Sequence, residues 1–273
     1  MSSRELRASP GRSEFRTDIE GLRALAVGAV LLFHAGFSFA GGGYVGVDVF
    51  FVISGFLITN LLLKEAEKSG TIGLRSFYAR RIRRLLPASV VTLLFTAVVT
   101  WLFLPINRWA AIAGDLIGSS FYVVNWRLAV RSVDYLGAET TASPVQHFWS
   151  LSVEEQFYFI WPFLIIAGIW AARRTGASIR TSAGVALSVA AVSSLAYSIW
   201  YTAVSPGAAY FVTPSRIWEL SIGAGVAILL PALRRLRRAA GPPRPIGGGG
   251  AIAWSVVTCG VHSAFPSYTA LRA

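Results

Sequence analysis

Cysteine, histidine and charged residues are scarce in this chain of 273 residues. The single cysteine, Cys259, excludes an internal disulfide and a cysteine-rich metal site. The histidines, His34, His147 and His262, do not stand at metal-ligand spacing, so no metal site is predicted. The sequence also contains no Walker-type phosphate loop. Disulfide scaffolds, zinc modules and P-loop nucleotide hydrolases are therefore excluded.

Apolar residues dominate what remains. They make up 54% of the chain, charged residues only 14%, and the mean hydropathy is +0.57. This composition is typical of an integral membrane protein. The net charge of +12 does not indicate a nucleic-acid partner, because the basic residues stand between apolar runs, where they set membrane orientation. The sequence predicts an all-α, polytopic membrane helix bundle with about seven transmembrane helices and one interfacial or re-entrant helix.

The predicted spans follow from the apolar runs and the positive-inside rule. They cover approximately residues 20–39, 47–63, 88–106, 147–170, 181–204, 213–230 and 251–265. The basic segment 64–87 is predicted to be a cytoplasmic loop, with a helix that reaches as far as Pro87. Residues 107–130 are apolar but carry charges, and a crossing there would place Arg173, Arg174 and Arg180 outside. We therefore predict that this segment is interfacial or re-entrant.

The predicted domain organisation is a cytoplasmic disordered tail over 1–17, a transmembrane domain over 18–265 and a tail over 266–273. The N-terminus is expected in the cytoplasm, and the protein in the inner (plasma) membrane. A cleaved signal peptide over 1–40 is the alternative. Arg23 and His34 interrupt the apolar run that such a peptide needs, and a second span follows almost at once.

The first predicted span carries two polar residues that are costly in a bilayer and usually functional. Arg23 and His34 are 11 residues apart, so they share one helix face and lie roughly 16 Å apart along the axis. Glu20 lies on nearly the same face. The span therefore predicts a polar path through part of the membrane. The glycine-rich turn that follows, from Gly41 to Gly46, is expected to permit close backbone approach.

A second polar group opens the span over 147–170. His147, Leu151, Glu154, Tyr158 and Trp161 follow helical spacing on one face. We therefore favour Glu154 over its neighbour Glu155 as the inward carboxylate. An interfacial aromatic belt with solvated carboxylates is the alternative, although it explains a glutamate at membrane depth poorly.

Further charged residues stand at three other places. Asp48 lies near the outer end of the second span, followed by the small pair Ser54 and Gly55, which favours close helix packing. Arg216 and Glu219 have i, i+3 spacing, which favours a structural ion pair over direct catalysis. The arginines from Arg80 to Arg84 suit phosphate groups, although anchoring of the topology is the simpler interpretation of a basic loop.

These residues suggest two kinds of chemistry. Histidine is a natural general base for a hydroxyl, and a carboxylate can orient it, so His34, Glu154 and Asp48 form the outer candidate group. Arg23 and the arginine cluster suit an anionic, phosphate-bearing molecule on the inner side. A transferase and a proton-coupled transporter remain equally compatible with these residues.

Motifs in several stretches, taken in order, resemble those of the acyltransferase-3 family of bacterial integral membrane proteins, which O-acetylate cell-envelope glycans. Residues 18–34 resemble its first helix, with Arg23 and His34 in an R-x10-H motif, and residues 43–58 (GYVGVDVFFVISGFLI) resemble its second helix. Residues 80–87 resemble an R-R-x-x-R-x-x-P loop, in which Arg81 and Arg84 form the R-x-x-R pair. Residues 147–158 resemble the F-W-S-L-S-V-E-E-Q-F-Y motif. Residues 214–225 resemble a T-R-x-W-E-L helix that includes Arg216 and Glu219.

The resemblance implies a membrane O-acyltransferase that moves an acyl group, expected to be acetyl, from cytoplasmic acyl-CoA to a hydroxyl outside. The acceptor would be a cell-envelope polysaccharide or a lipid-linked sugar. Membrane lipid would surround the protein, and no nucleic-acid partner is expected. His34 and Glu154 would be catalytic, with His34 as base or transient acyl carrier. Arg23, Arg81 and Arg84 would bind the donor, here acetyl-CoA as substrate rather than a bound cofactor. Asp48, Glu155, Tyr158, Arg216 and Glu219 would support them.

The sequence also departs from the family pattern. Members usually have about ten spans, and many carry an extracellular SGNH-type domain, neither of which the sequence contains. We therefore expect a truncated or frame-shifted fragment, or a divergent short form. A non-catalytic remnant is the corresponding alternative for its function.

Overall fold

Helices account for nearly all of the regular structure in the part of the chain that the structure describes. The computed structural model describes residues 17–133 and 142–240, and within these ranges it contains no strand. The helices are α1 (Thr17–His34), α2 (Gly46–Ser69), α3 (Leu74–Phe103), α4 (Trp109–Ser120), α5 (Val124–Ser132), α6 (Phe148–Thr175), α7 (Ile179–Val204), α8 (Pro206–Phe211) and α9 (Ile217–Ala240). Short 3-10 turns connect several of them.

Five helices in the described residues, α2, α3, α6, α7 and α9, are long and apolar enough to cross a membrane. This confirms the predicted all-α polytopic bundle and identifies a multi-pass membrane protein. Helix α1, with 18 residues, contains Glu20 and Arg23 and is not among the five. The run over 251–265 and the tail over 266–273 lie outside the described residues, as does nearly all of the tail over 1–17. The count of seven therefore stays a prediction.

The segment predicted to be interfacial or re-entrant forms two short helices. At about 1.5 Å per residue, the 12 residues of α4 and the 9 residues of α5 reach roughly 18 Å and 14 Å. Neither length covers a hydrocarbon core of about 30 Å. Buried Asp115 of α4 joins the two helices, because it accepts hydrogen bonds from Arg131 and, at 3.4 Å, from Arg127 of α5.

The prediction of a long loop over 64–87 with a break at Pro87 is wrong. Helix α2 ends at Ser69, where Gly70 takes a left-handed φ of 71°, and α3 begins at Leu74 and passes through Pro87. A proline removes one backbone hydrogen bond, a loss that membrane helices tolerate. The arginines from Arg80 to Arg84 lie within a helix, as expected, but that helix continues past Pro87.

Two tight turns meet at one end of the bundle. Arg173, near the end of α6, donates a hydrogen bond of 2.7 Å to the carbonyl oxygen of Gly70. Arg180 of α7 forms an ion pair with Glu67 of α2. We call this the basic end, and the opposite end, which holds Gly41 to Gly46, the glycine-rich end.

Glycines set the closest helix contacts, as the sequence predicted. A Cβ at Gly55 of α2 would overlap the carbonyl oxygen of Leu220, and one at Gly223 of α9 would overlap that of Val52. Helices α2 and α9 therefore cross with their backbones in contact. A Cβ at Gly43 or Gly46 would likewise overlap a backbone carbonyl oxygen of α1. Between α2 and α6, the fully buried Trp161 donates a hydrogen bond of 2.7 Å to Thr59 and fixes their relative height.

Candidate active site

A cavity of about 540 Å³ lies where α2, α3 and α6 face each other. Ser54, on its wall, is about 12 Å from the first residue of α2 and about 22 Å from the last, so the cavity lies near the middle of the bundle. Six of the ten predicted site residues line it, namely Arg23, Arg81, Arg84, Glu154, Glu155 and Tyr158. Arg80 adds a fourth arginine, and most of the other lining side chains are apolar.

The glutamates of the cavity have different partners. The Oε1 atom of Glu154 accepts hydrogen bonds from two hydroxyl groups, those of Ser54 and Tyr158. Glu155 instead accepts a hydrogen bond of 2.7 Å from Arg81. The sequence favoured Glu154 alone as the inward group. Both carboxylates border the cavity because side chains 100° apart on a helix can flank one wide opening.

The arginines of the cavity also differ in their interaction partners. The Arg81 guanidinium lies 3.4 Å above the ring centroid of Tyr158, in addition to its contact with Glu155. Arg23 contacts Glu20 at 3.2 Å, and Arg80 lies 3.9 Å from Glu65. Arg84 is exposed and has no ion pair or hydrogen bond within the described part of the chain. The cavity therefore offers positive charge that the protein itself does not fully neutralise.

A second cluster holds three more of the predicted residues. Nη1 of Arg216 donates hydrogen bonds to Asp48 at 3.0 Å and to Glu219 at 2.8 Å, and its Nε donates to the carbonyl oxygen of Tyr210 at 3.0 Å. The Arg216 side chain is fully buried, and both carboxylates are nearly so. The structure thus contains the Arg216–Glu219 ion pair expected from the spacing. Asp48 completes that pair, whereas the sequence had grouped it with His34.

His34 lies apart from both clusters, at the last position of α1. Its Nδ1 is 2.8 Å from the carbonyl oxygen of Val30. Because a carbonyl oxygen can only accept, Nδ1 carries the proton, and in the neutral ring Nε2 is left as a proton acceptor. The side chain is exposed. The described hydrogen bonds of Glu154 do not include His34, so assistance of His34 by Glu154 stays a prediction.

Three residues that the sequence did not select as site residues also belong here. The sequence indicated only that Ser54 is a small residue that favours helix packing. Its hydrogen bond to Glu154, 100 positions away, produces no local sequence pattern that could have predicted it. Arg80 was indistinguishable from the other arginines of its segment. His147 lies immediately before α6 and close enough to His34 to feel its charge: burial lowers the pKa of His147, and His34 lowers it further. A histidine at the head of the aromatic stripe was the available clue.

Comparison with known proteins adds a family-level match. A family model described as an acyltransferase domain matches residues 16–271. The chain is 36% identical over 216 residues to a putative peptidoglycan O-acetyltransferase, YrhL, of Bacillus subtilis. It is 38% identical over 214 residues to the peptidoglycan O-acetyltransferase OatA of Listeria monocytogenes. It is 34% identical over 225 residues to putative O-acetyltransferases of Staphylococcus aureus.

These alignments cover most of this chain but a minor part of each relative. They span 79%, 78% and 82% of the chain, and 33%, 34% and 36% of the respective relatives. The chain thus matches about a third of the length of these relatives. No solved structure matches it.

Proposed function

This chain belongs to the acyltransferase-3 family, and on that premise we propose that it transfers an acyl group, acetyl in the first instance, to a hydroxyl of a cell-envelope glycan. The peptidoglycan O-acetyltransferases among its relatives make peptidoglycan or its lipid-linked precursor the preferred acceptor class. The donor we propose is acyl-CoA, bound from the cytoplasm. The observation that carries the proposal is the convergence of four arginines and two glutamates on one cavity.

The charges of the cavity favour one orientation of this donor. Arg80 and Arg84, on α3, attract phosphate groups, which suit guanidinium donors. Glu154, held by two hydroxyl groups rather than by a cation, repels phosphate. The phosphates of the donor would therefore lie on the α3 side, and its uncharged thioester arm would extend past Glu154 and Ser54.

The membrane orientation we propose follows from the basic residues. Lys64, Lys68, Arg173, Arg174 and Arg180 gather at the basic end, and positive charge favours the cytoplasmic side of the plasma membrane. In the proposed orientation the N-terminus would lie in the cytoplasm and His34 toward the outer side. The thioester must then reach along α1 from Arg23 toward His34, a separation of about 16 Å.

In the chemical step, Nε2 of His34 accepts the proton of the acceptor hydroxyl. The hydroxyl oxygen attacks the thioester carbonyl, the carbon–sulfur bond breaks, and the departing thiolate takes up the proton held on Nε2 of His34, which gives free CoA and restores the neutral imidazole. The bond from Nδ1 to Val30 keeps the accepting nitrogen directed away from the helix.

The test measures transfer from labelled acetyl-CoA in sealed proteoliposomes, with label followed on protein, in free acetate and on added glycan. We expect His34→Gln, which keeps a polar side chain but removes the base, to lose about a hundredfold or more of the turnover. Ser193→Ala, an exposed change on α7, is the matched control and should keep full activity. Unchanged turnover in His34→Gln would contradict the role of His34. No turnover by well-folded wild-type protein would favour the non-catalytic alternative.

A further inference from the structure

The cavity arginines at positions 81 and 84 are not equivalent, although they stand on the same face of α3. Arg81 has both of its interactions with α6: an ion pair of 2.7 Å with Glu155 and the stacked contact of 3.4 Å with Tyr158. Arg84 is close enough for its charge to act on Glu155 but forms no ion pair or hydrogen bond in the described residues, and it is exposed to the cavity. One guanidinium is therefore committed within the protein, and the other is available to a ligand.

The contacts of Arg81 continue to the glutamate that the proposed function uses. Its guanidinium covers one face of the Tyr158 ring, and the hydroxyl of that ring donates to Glu154. Ser54 of α2 donates to the same carboxylate oxygen. Arg81 thus stands at one end of a continuous set of contacts from α3 through α6 to α2, with Glu154 held in the middle.

We propose that Arg81 is a positioning residue, which fixes α3 against α6 and holds Glu154 through Tyr158, while Arg84 provides the anion contact. The proposal rests on the proposed function for the identity of the anion. A phosphate that bound Arg81 would have to displace Glu155, whose carboxylate would then lose its close cation partner. Lysine could not replace Arg81, because an ammonium group cannot pair with Glu155 and lie flat on Tyr158 together.

The experiment compares Arg81→Gln, Arg81→Lys, Arg84→Gln and Glu155→Gln in lipid nanodiscs. It measures binding of CoA at several salt concentrations, and acetyl transfer at saturating donor. We expect Arg84→Gln to weaken CoA binding about tenfold and to reduce its salt dependence. Arg81→Gln should leave the salt dependence unchanged but lower kcat about tenfold, since Glu154 is misplaced rather than the donor lost. Arg81→Lys and Glu155→Gln should behave like Arg81→Gln.

The opposite pattern would overturn the inference. If Arg81 contacts the anion, Arg81→Gln and Arg84→Gln will weaken CoA binding and reduce its salt dependence equally. Glu155→Gln will then tighten CoA binding and keep its kcat, because it releases Arg81 to the anion and leaves Glu154 in place.

A stability measurement distinguishes failure of the positioning role of Arg81 from failure of the proposed function. If wild-type protein neither binds CoA nor transfers acetyl groups, the proposed donor is wrong. The positioning role of Arg81 can still be judged from the unfolding temperatures of Arg81→Gln, Glu155→Gln and the double variant. We expect the double variant to unfold no earlier than the less stable single variant, since both changes break one contact. Fully additive losses would contradict the positioning role.

Discussion

The two arginine–carboxylate clusters use the same residue types but differ in access. Arg216 has no exposed side-chain surface and lies between Asp48 and Glu219. In the cavity, Arg81 retains 21% exposure and Arg84 is open to ligand. The closed cluster joins α2 to the start of α9, where the backbones touch, whereas the open cluster lies where α3 leaves space beside α6. Burial of an ion pair is costly, so we expect the closed cluster to serve structure and the open cluster to serve binding.

The largest expected effect is a loss of stability that tests whether the closed cluster is structural and the open cluster is not. Arg216→Ala leaves two carboxylates buried without their cation, which should cost about 3–5 kcal/mol of folding free energy. Arg84→Ala should change stability by no more than about 0.5 kcal/mol, as for an exposed site. Thermal unfolding of the purified proteins in detergent measures both, with exposed Arg75→Ala as the control. Equal losses at Arg216 and Arg84 would remove the distinction between the clusters.

A smaller effect is expected at the helix crossing that closes the buried cluster. Gly55→Ala introduces a Cβ that collides with the carbonyl oxygen of Leu220, so α2 and α9 must separate. We expect a loss of about 1–3 kcal/mol, the usual cost of overpacking. Gly184→Ala on α7 is the matched control, because the nearest atom to its Cβ would be 3.8 Å away. A lower unfolding temperature for the control than for Gly55→Ala would show that the crossing is not tightly packed.

The same comparison explains what could be predicted from the sequence. Apolar runs and i, i+3 spacing are local, so the five spans in the described residues and the Arg216–Glu219 pair followed directly. The third member, Asp48, is 168 positions from Arg216, and no periodicity connects them. Pro87 was expected to end a helix because helix propensities measured in water were applied to a helix that is long and apolar enough to cross a membrane.

For the open cavity, the sequence predicted many of the lining residues but not the contacts between them. Family motifs selected six of its lining side chains, and Arg23 and Glu154 also stood out as charged residues at membrane depth. Their partners depend on how α3 tilts against α6, which is a tertiary property. The stacking of Arg81 on Tyr158 and the contact of Ser54 with Glu154 therefore could not be read from the chain.

The smallest expected effect concerns pH at the glycine-rich end, where His147 lies apart from the closed cluster. The pKa of His147 is lowered in the folded protein, first by burial and then by the charge of His34, so the unfolded chain binds this proton more tightly. His147 therefore favours folding above its ordinary pKa of 6.5, and this contribution is lost as the pH falls through the lowered value. We expect the unfolding temperature of wild-type protein to fall slightly more between pH 8 and pH 5 than that of His147→Gln. Identical pH profiles for the two proteins would contradict the lowered pKa of His147.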